Sequence, residues 1–208
     1  MSEPVLRGLY AITDPRLTPE PTLCDQVAAA LAGGARLVQY RHKNADADTR
    51  RREAKALLAL CRTHGVPLIV NDDIALAREV GADGVHLGRE DADLHAARMA
   101  LGDEALIGVS CYNELERARR ACADGADYVA FGRFFPSGTK PEAVQAQPEL
   151  IAQAKAELDR PVVAIGGITP DNGARLIAAG ADMLAVIEGL FGQSDIEAAA
   201  RRIAALFE

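Results

Sequence analysis

Four segments of the chain share one pattern: "GARLVQYR" from Gly34, "GADGVHLG" from Gly81, "GADYVAFG" from Gly125 and "GADMLAVI" from Gly180. Each follows an Ala-rich amphipathic stretch, so its glycine reads as the residue that ends a helix in left-handed geometry. The apolar run that comes next is short and rich in Val, Leu and Ile, as a strand buried on both faces should be. With starts at 34, 81, 125 and 180, the spacing is too long for one strand–helix unit and suits two. A further strand is therefore expected in each interval, and "PLIVN", "ALIGVS" and "RPVVAIGG" fall there, with "RGLYAIT" ahead of the first repeat. Eight strands, each followed by a helical stretch, predict a (β/α)8 TIM barrel formed by residues 1–208 as one domain; an open doubly wound sheet is the alternative. At 208 residues the barrel must have lean connecting loops.

Composition narrows the function. The hydrophobic fraction of 49% suffices for a large core. A net charge of -7 argues against a nucleic-acid or acidic-membrane binder, so an anionic ligand must be held by a local positive cluster. No uncharged apolar run approaches the roughly 18 residues of a membrane span. The start "MSEPVLRGLY" lacks a signal-peptide apolar region, so a cytoplasmic protein is expected. Cys24, Cys61, Cys111 and Cys122 are scattered, with no C-x-x-C pair, and read as reduced structural thiols.

Polar residues collect at the carboxyl ends of the strands, the face where barrel active sites lie. They include Thr13-Asp14, Gln39 to Lys43, Asn71-Asp72, the stretch up to Asp91, Ser110, Arg133 to Lys140, Gly166-Gly167 and Glu188. In "QYRHK" a two-residue period puts Gln39, Arg41 and Lys43 on one face and Tyr40 and His42 on the other. Cations inside a barrel are costly to desolvate unless an anion meets them, whereas residues past the strand end would merely be solvated. The loop "FFPSGTKP" offers Ser137, Gly138, Thr139 and the charge of Lys140, a composition that can cradle a phosphate or simply make a surface turn. In "AIGGITPDN", Gly166 and Gly167 allow close backbone approach to a ligand, and Thr169-Pro170 reads as a helix cap and first residue.

Two acidic clusters follow consecutive strands: Asn71-Asp72-Asp73 and Glu90-Asp91. Asp72 or Asp73 can cap one helix, and Asp91 or Asp93 the next. Capping needs one acid per helix, and each site has a spare. Asp72 and Asp91 are thus candidates to share one hard cation such as Mg²⁺, completed by substrate phosphate. His42, His64, His86 and His95 are isolated in the sequence and read as structural or surface residues. No nucleophile triad, zinc spacing or dinucleotide fingerprint appears.

Taken in order, "YAITD", "QYRHK", "VNDD", "GVHLGRED", "GVS", "DYVAFGRFFPSGTKP" and "AIGGITPDN" resemble the thiamine-phosphate synthase family. The resemblance implies a barrel transferase that joins hydroxymethylpyrimidine diphosphate to a thiazole phosphate, plain or carboxylated, releasing diphosphate. By the family pattern, Gln39, Tyr40, Arg41, His42, Lys43, Asn71, Ser110 and Lys140 would hold the pyrimidine diphosphate, with Arg41, Lys43, Ser110 and Lys140 serving catalysis. Asp72 and Asp91 would hold one Mg²⁺ per site. Ser137, Gly138, Thr139, Gly167 and the Ile187-Glu188 backbone would hold the thiazole phosphate. The sequence departs from the family at Glu188, where a small Ser is common; its carboxylate is expected to turn outward, to solvent or a nearby Arg, from a loop that begins where strand eight ends at Ile187. The implied partners are these small molecules, without nucleic acid or membrane, and self-association into a homo-oligomer is left open. The rival readings are a tautomerase relative acting on the thiazole, another phosphate-binding barrel enzyme such as a sugar-phosphate isomerase, and a non-catalytic binder of a thiamine precursor.

Overall fold

The computed structural model describes residues 6–88, 94–136 and 144–208. Strands β1 (Gly8–Ile12), β2 (Ala35–Tyr40), β3 (Leu68–Asn71), β4 (Gly84–Leu87), β5 (Leu106–Tyr112), β6 (Tyr128–Phe131), β7 (Val162–Ile165) and β8 (Met183–Val186) occupy the eight apolar runs expected from the repeat. They pair in chain order, every pair parallel, and β8 returns to β1 to close the barrel. The open-sheet alternative is excluded by that closure. Around the strands lie α1 (Leu23–Ala32), α2 (Ala47–His64), α3 (Ile74–Val80), α4 (Leu94–Leu101), α5 (Leu115–Ala123), α6 (Glu149–Glu157), α7 (Ala174–Ala178), α8 (Glu188–Phe191) and α9 (Ile196–Ala204).

The period of two divides the core into two layers. Outward-facing strand residues such as Leu9, Val38, Val70, Val85 and Leu184 pack against the helices. Inward-facing Tyr10, Leu37, Ile69, Tyr128, Val163 and Met183 fill the barrel itself. Both faces of the strands are therefore buried, which explains runs of Val, Leu and Ile without polar alternation.

The repeat has a mechanical meaning at the amino ends of the strands. Gly34, Gly81, Gly125 and Gly180 all have positive φ, where a side chain would be strained. In three of the four repeats an Asp comes two residues later, and each makes the same two-bond closure. Asp83 donates its N–H to the Leu68 carbonyl and accepts the Leu68 N–H on its carboxylate, at 3.0 and 2.8 Å. Asp127 does this with Ile107 at 2.8 and 2.7 Å, and Asp182 with Val162 at 2.8 and 2.7 Å. The carboxylate thus satisfies an N–H at the start of a neighbouring strand, the first residue of β3 and β7 and the second of β5.

Two local expectations need correction. Thr169 and Pro170 do not open a helix: α7 begins only at Ala174, and the residues between form a turn in which Asn172 Oδ1 accepts the Thr169 N–H at 2.9 Å. The Thr169 hydroxyl accepts the Asp171 N–H at 3.3 Å and its carbonyl the Gly173 N–H at 3.1 Å, so Thr169 caps this turn and the helix itself starts later. Strand eight ends at Val186, and Glu188 starts the four-residue helix α8 rather than a loop.

Among the described residues no helix is long and apolar enough to cross a membrane. The four cysteines are free thiols, and burial pushes those of Cys61 and Cys111 up to about 12.

Candidate functional site

A cavity opens at the carboxyl end of the barrel, and residues from all eight strands or the loops after them line it. Its lower wall is apolar, with Ile12, Ala130, Val163, Ile165 and Ala185 presenting side chains of modest size. Its polar groups include Gln39, Arg41, Asn71, His86, Ser110 and Arg133, with Glu188 at the rim. A cleft with apolar walls and a few convergent polar groups suits an aromatic ligand carrying an anionic group.

Strand β2 delivers the first polar set. Gln39 points inward and is buried, donating from Nε2 to the Tyr10 hydroxyl at 2.6 Å. Arg41 follows on the same face and lines the cavity; its backbone N–H donates to Thr13 Oγ1 at 2.9 Å, and its guanidinium lies 3.7 Å from Asp14. Burial alone would raise the Asp14 carboxyl, but hydrogen bonds from Arg16 and the charges of Arg16 and Arg41 outweigh it and hold the group below the usual carboxylate range. Tyr40 and His42 face the other way, as the period requires, and share the buried carboxylate of Glu53 on α2 at 2.6 and 2.9 Å. Lys43 departs from the expected face. The strand ends at Tyr40, so the alternation does not reach residue 43, and its ammonium turns to Asp72 at 2.8 Å in a recess beside the main cavity.

The acidic cluster after β3 separates into two roles. Asp73 is the cap of α3, accepting the Leu76 N–H at 2.9 Å, and it also pairs with Arg50. Asp72 does not cap. It sits at φ 63, a conformation costly for a non-glycine residue, and its carboxylate meets Lys43 and the Asn71 amide (2.6 Å). The spare acid inferred from the sequence is therefore Asp72. Asp91, the second metal candidate, lies outside the described residues, as do Ser137, Gly138, Thr139 and Lys140. Among the described residues no group of three or more His, Cys, Asp or Glu converges as a metal site. The oxygen donors at Asp72 fit a hard cation such as Mg²⁺, which takes only one or two protein carboxylates.

The far side of the cavity was not legible as a site. His86, read as isolated, projects inward from β4, stacks on Tyr128 with ring centroids 5.6 Å apart, and bonds Ser110 Oγ through Nε2 at 2.9 Å. Its Nδ1 lies 3.1 Å from the Tyr128 hydroxyl, which in turn lies 2.9 Å from that of Tyr10. Burial raises the pKa of both phenols, so they stay protonated. The period of two in β4 carried the signal for His86, since Gly84 and His86 share the face opposite Val85 and Leu87. Ser110 is fixed from behind by Arg117, whose Nε donates to the Ser110 carbonyl at 2.8 Å.

The double glycine after β7 serves loop packing. A Cβ on Gly166 would lie 2.3 Å from that of Arg133, and one on Gly167 would lie 2.2 Å from the Pro136 carbonyl oxygen. These glycines let the loops after β6 and β7 touch over the cavity. Ile187 and Glu188 line the opposite rim. Glu188 is exposed, and Arg16, whose pKa is raised mainly by its hydrogen bond and ion pair with Asp14, also feels the Glu188 charge.

Comparison with known proteins agrees with this geometry. The family model for thiamine monophosphate synthase matches residues 9–190. The chain is 55% identical over 203 residues to a thiamine-phosphate synthase of Thioalkalivibrio sulfidiphilus, covering 98% of this chain and 96% of that one. It is 54% identical to the thiamine-phosphate synthase of Aromatoleum aromaticum over the full length of both. Among solved structures, thiamine phosphate pyrophosphorylase from Pyrococcus furiosus superposes with a TM-score of 0.89 at 35% identity, covering 98% of this chain and 96% of that one. A geranylgeranylglyceryl phosphate synthase from Thermoplasma acidophilum, at 16% identity and a TM-score of 0.72, shares the fold alone. The chain belongs to the thiamine monophosphate synthase family and is a transferase.

Proposed function

We propose that the barrel mouth condenses hydroxymethylpyrimidine diphosphate with a thiazole phosphate, plain or carboxylated, in a Mg²⁺-dependent reaction that yields thiamine phosphate and diphosphate. The observation that carries this reading is the arrangement of Gln39, Arg41, Asn71 and Ser110 around one apolar-walled cavity, with Lys43 and Asp72 at its edge. No acid–base pair of the kind a sugar-phosphate isomerase needs is assembled among the described residues of the cavity.

In this reading Asp72 and Asp91 hold the cation. When bound, Mg²⁺ supplies positive charge to the oxygens of the leaving diphosphate. The chain's own cations do the same work from other sides. Arg41 follows β2 and lines the cavity, Lys43 stands beside Asp72, and Lys140 lies in sequence between β6 and α6. Departure of diphosphate needs such preorganised charge more than a general base. The apolar wall of Ile12, Val163, Ile165 and Ala185 holds the pyrimidine ring and keeps water from the methyl cation left behind, until the thiazole nitrogen captures it. A carboxylated thiazole would lose CO₂ after that capture. Ser137, Gly138, Thr139, Gly167 and the backbone of Ile187 and Glu188 hold the thiazole phosphate. The reaction is read as cytoplasmic.

The test is to mix both substrates with the purified protein, with and without Mg²⁺, and assay thiamine phosphate. Formation only with the cation is expected. No thiamine phosphate, with the thiazole alone converted to its aromatic tautomer, would point to the tautomerase relative instead.

A further inference from the structure

We propose that His86 is a positioning residue that fixes the Ser110 hydroxyl as a hydrogen-bond donor to the cavity, through a one-way chain of hydrogen bonds that begins at Gln39. The chain crosses the barrel through five side chains on five strands. Gln39 Nε2 donates to the Tyr10 hydroxyl at 2.6 Å. A phenol has one proton to give, and among the hydrogen bonds of Tyr10 the contact with Tyr128, 2.9 Å away, is the one that can take it, since the Gln39 amide N–H is itself a donor. Tyr128 passes its own to His86 Nδ1 at 3.1 Å. A neutral imidazole whose Nδ1 accepts must carry its proton on Nε2, and that N–H donates to Ser110 Oγ at 2.9 Å. Ser110 then keeps one hydroxyl hydrogen, and it lines the cavity.

The surroundings hold this order in place. Tyr10 and Tyr128 are fully buried and meet edge to face at 84°. Gly108 makes the room, since a Cβ there would lie 2.0 Å from Tyr128 Cζ. The imidazole lies 24° from parallel with the Tyr128 ring, which hinders its rotation. With one lone pair of Oγ taken by His86 and its hydrogen left to give, Ser110 suits an anionic oxygen. Resting on the proposed function, that anion is the substrate's diphosphate.

Nitrogen-15 NMR of the unliganded protein, labelled at histidine, reads the tautomer directly. The Nε2–H form of His86 is expected. The Nδ1–H form would mean that Gln39 presents its carbonyl to Tyr10, that the chain runs backward, and that the proposal is wrong whatever the activity. A wild-type protein that makes no thiamine phosphate but shows the Nε2–H form would sink the functional reading and leave the chain intact. In kinetics, His86→Leu should lower kcat/KM for the pyrimidine diphosphate roughly 10- to 100-fold, the range for a hydrogen bond to a charged group. His86→Gln, which can restore a donor near the Nε2 position, should recover part of it. In a Ser110→Ala background His86→Leu should cost nothing further; a full additional loss would make His86 a packing residue only.

Discussion

Aspartates stand at both ends of this barrel, and they do different work. At the amino ends of the strands, Asp83, Asp127 and Asp182 each accept the N–H of the strand residue to which their own N–H also bonds. At the carboxyl ends, Asp14 and Asp72 face cations, Arg41 and Arg16 in one case and Lys43 in the other. The difference lies in what the backbone leaves open. At the strand starts there are orphan donors to satisfy, so a carboxylate is consumed locally. At the mouth Asp73 likewise satisfies a backbone donor, the cap of α3, while Asp72 meets Lys43 and the Asn71 amide. The floor carboxylates close backbone hydrogen bonds, whereas Asp72 at the mouth meets a lysine and an amide, which suits its proposed role toward a cation.

Four substitutions or conditions can break or sharpen that division. The largest effect is expected from Lys140→Ala, which, on the proposed function, removes a charge from beside the leaving diphosphate. Steady-state kinetics should show kcat down on the order of 10²- to 10³-fold, the scale for a lost preorganised donor, with a smaller change in KM. A rise only in KM for the thiazole phosphate would move this lysine to the other phosphate.

At the floor, Asp127→Ala removes the acceptor of the Ile107 N–H and the partner of Arg98. Thermal unfolding should record a loss of about 1.5–3 kcal/mol, the range for hydrogen bonds to charged groups, with kcat within twofold of wild type. A large kcat defect in a folded Asp127→Ala protein would erase the distinction between the two ends.

Acid gives a smaller effect. The Asp14 carboxyl is held below its unfolded value, so its stabilisation is complete above about pH 4 and fades as pH falls through the lower, folded value. Arg16 is largely exposed and the pair is screened, so the pH-dependent difference between wild type and Asp14→Asn should stay below about 1 kcal/mol. It should shrink on acidification; a difference that grew would mean that Asp14 is protonated in the folded state.

The smallest effect is expected at Glu188, whose carboxylate is exposed at the rim. Glu188→Ser should change KM for the thiazole phosphate by less than about threefold, roughly 0.65 kcal/mol. A tenfold gain in affinity would mean that the carboxylate faces the phosphate.

The barrel was legible because its strands are buried on both faces and its helices end at glycines with positive φ, two signals that stay local in the sequence. That Gln39, Arg41, Asn71 and Ser110 gather at one cavity was legible because polar residues at strand ends stand out against apolar runs. Lys43 was misplaced because the two-residue period was extended beyond Tyr40, where the strand stops. His86, Tyr10 and Tyr128 escaped because each lies inside an apolar strand and makes its bonds to other strands, 42 to 118 residues away in the case of Tyr128. Thr169-Pro170 misled on where the helix starts, because Thr169 does cap, through the Asp171 N–H, but what it caps is a turn that runs ahead of α7.

The most direct measurement is the turnover and the melting temperature of Asp72→Asn, taken on the same preparation. Asn tolerates the left-handed backbone of residue 72, so the substitution changes charge and little else. A mouth carboxylate reserved for the cation predicts loss of most thiamine phosphate formation, with a melting temperature close to wild type. Near-normal turnover together with a stability loss of about 1 kcal/mol, the cost of a lost helix cap, would contradict it and return Asp72 to the structural carboxylates.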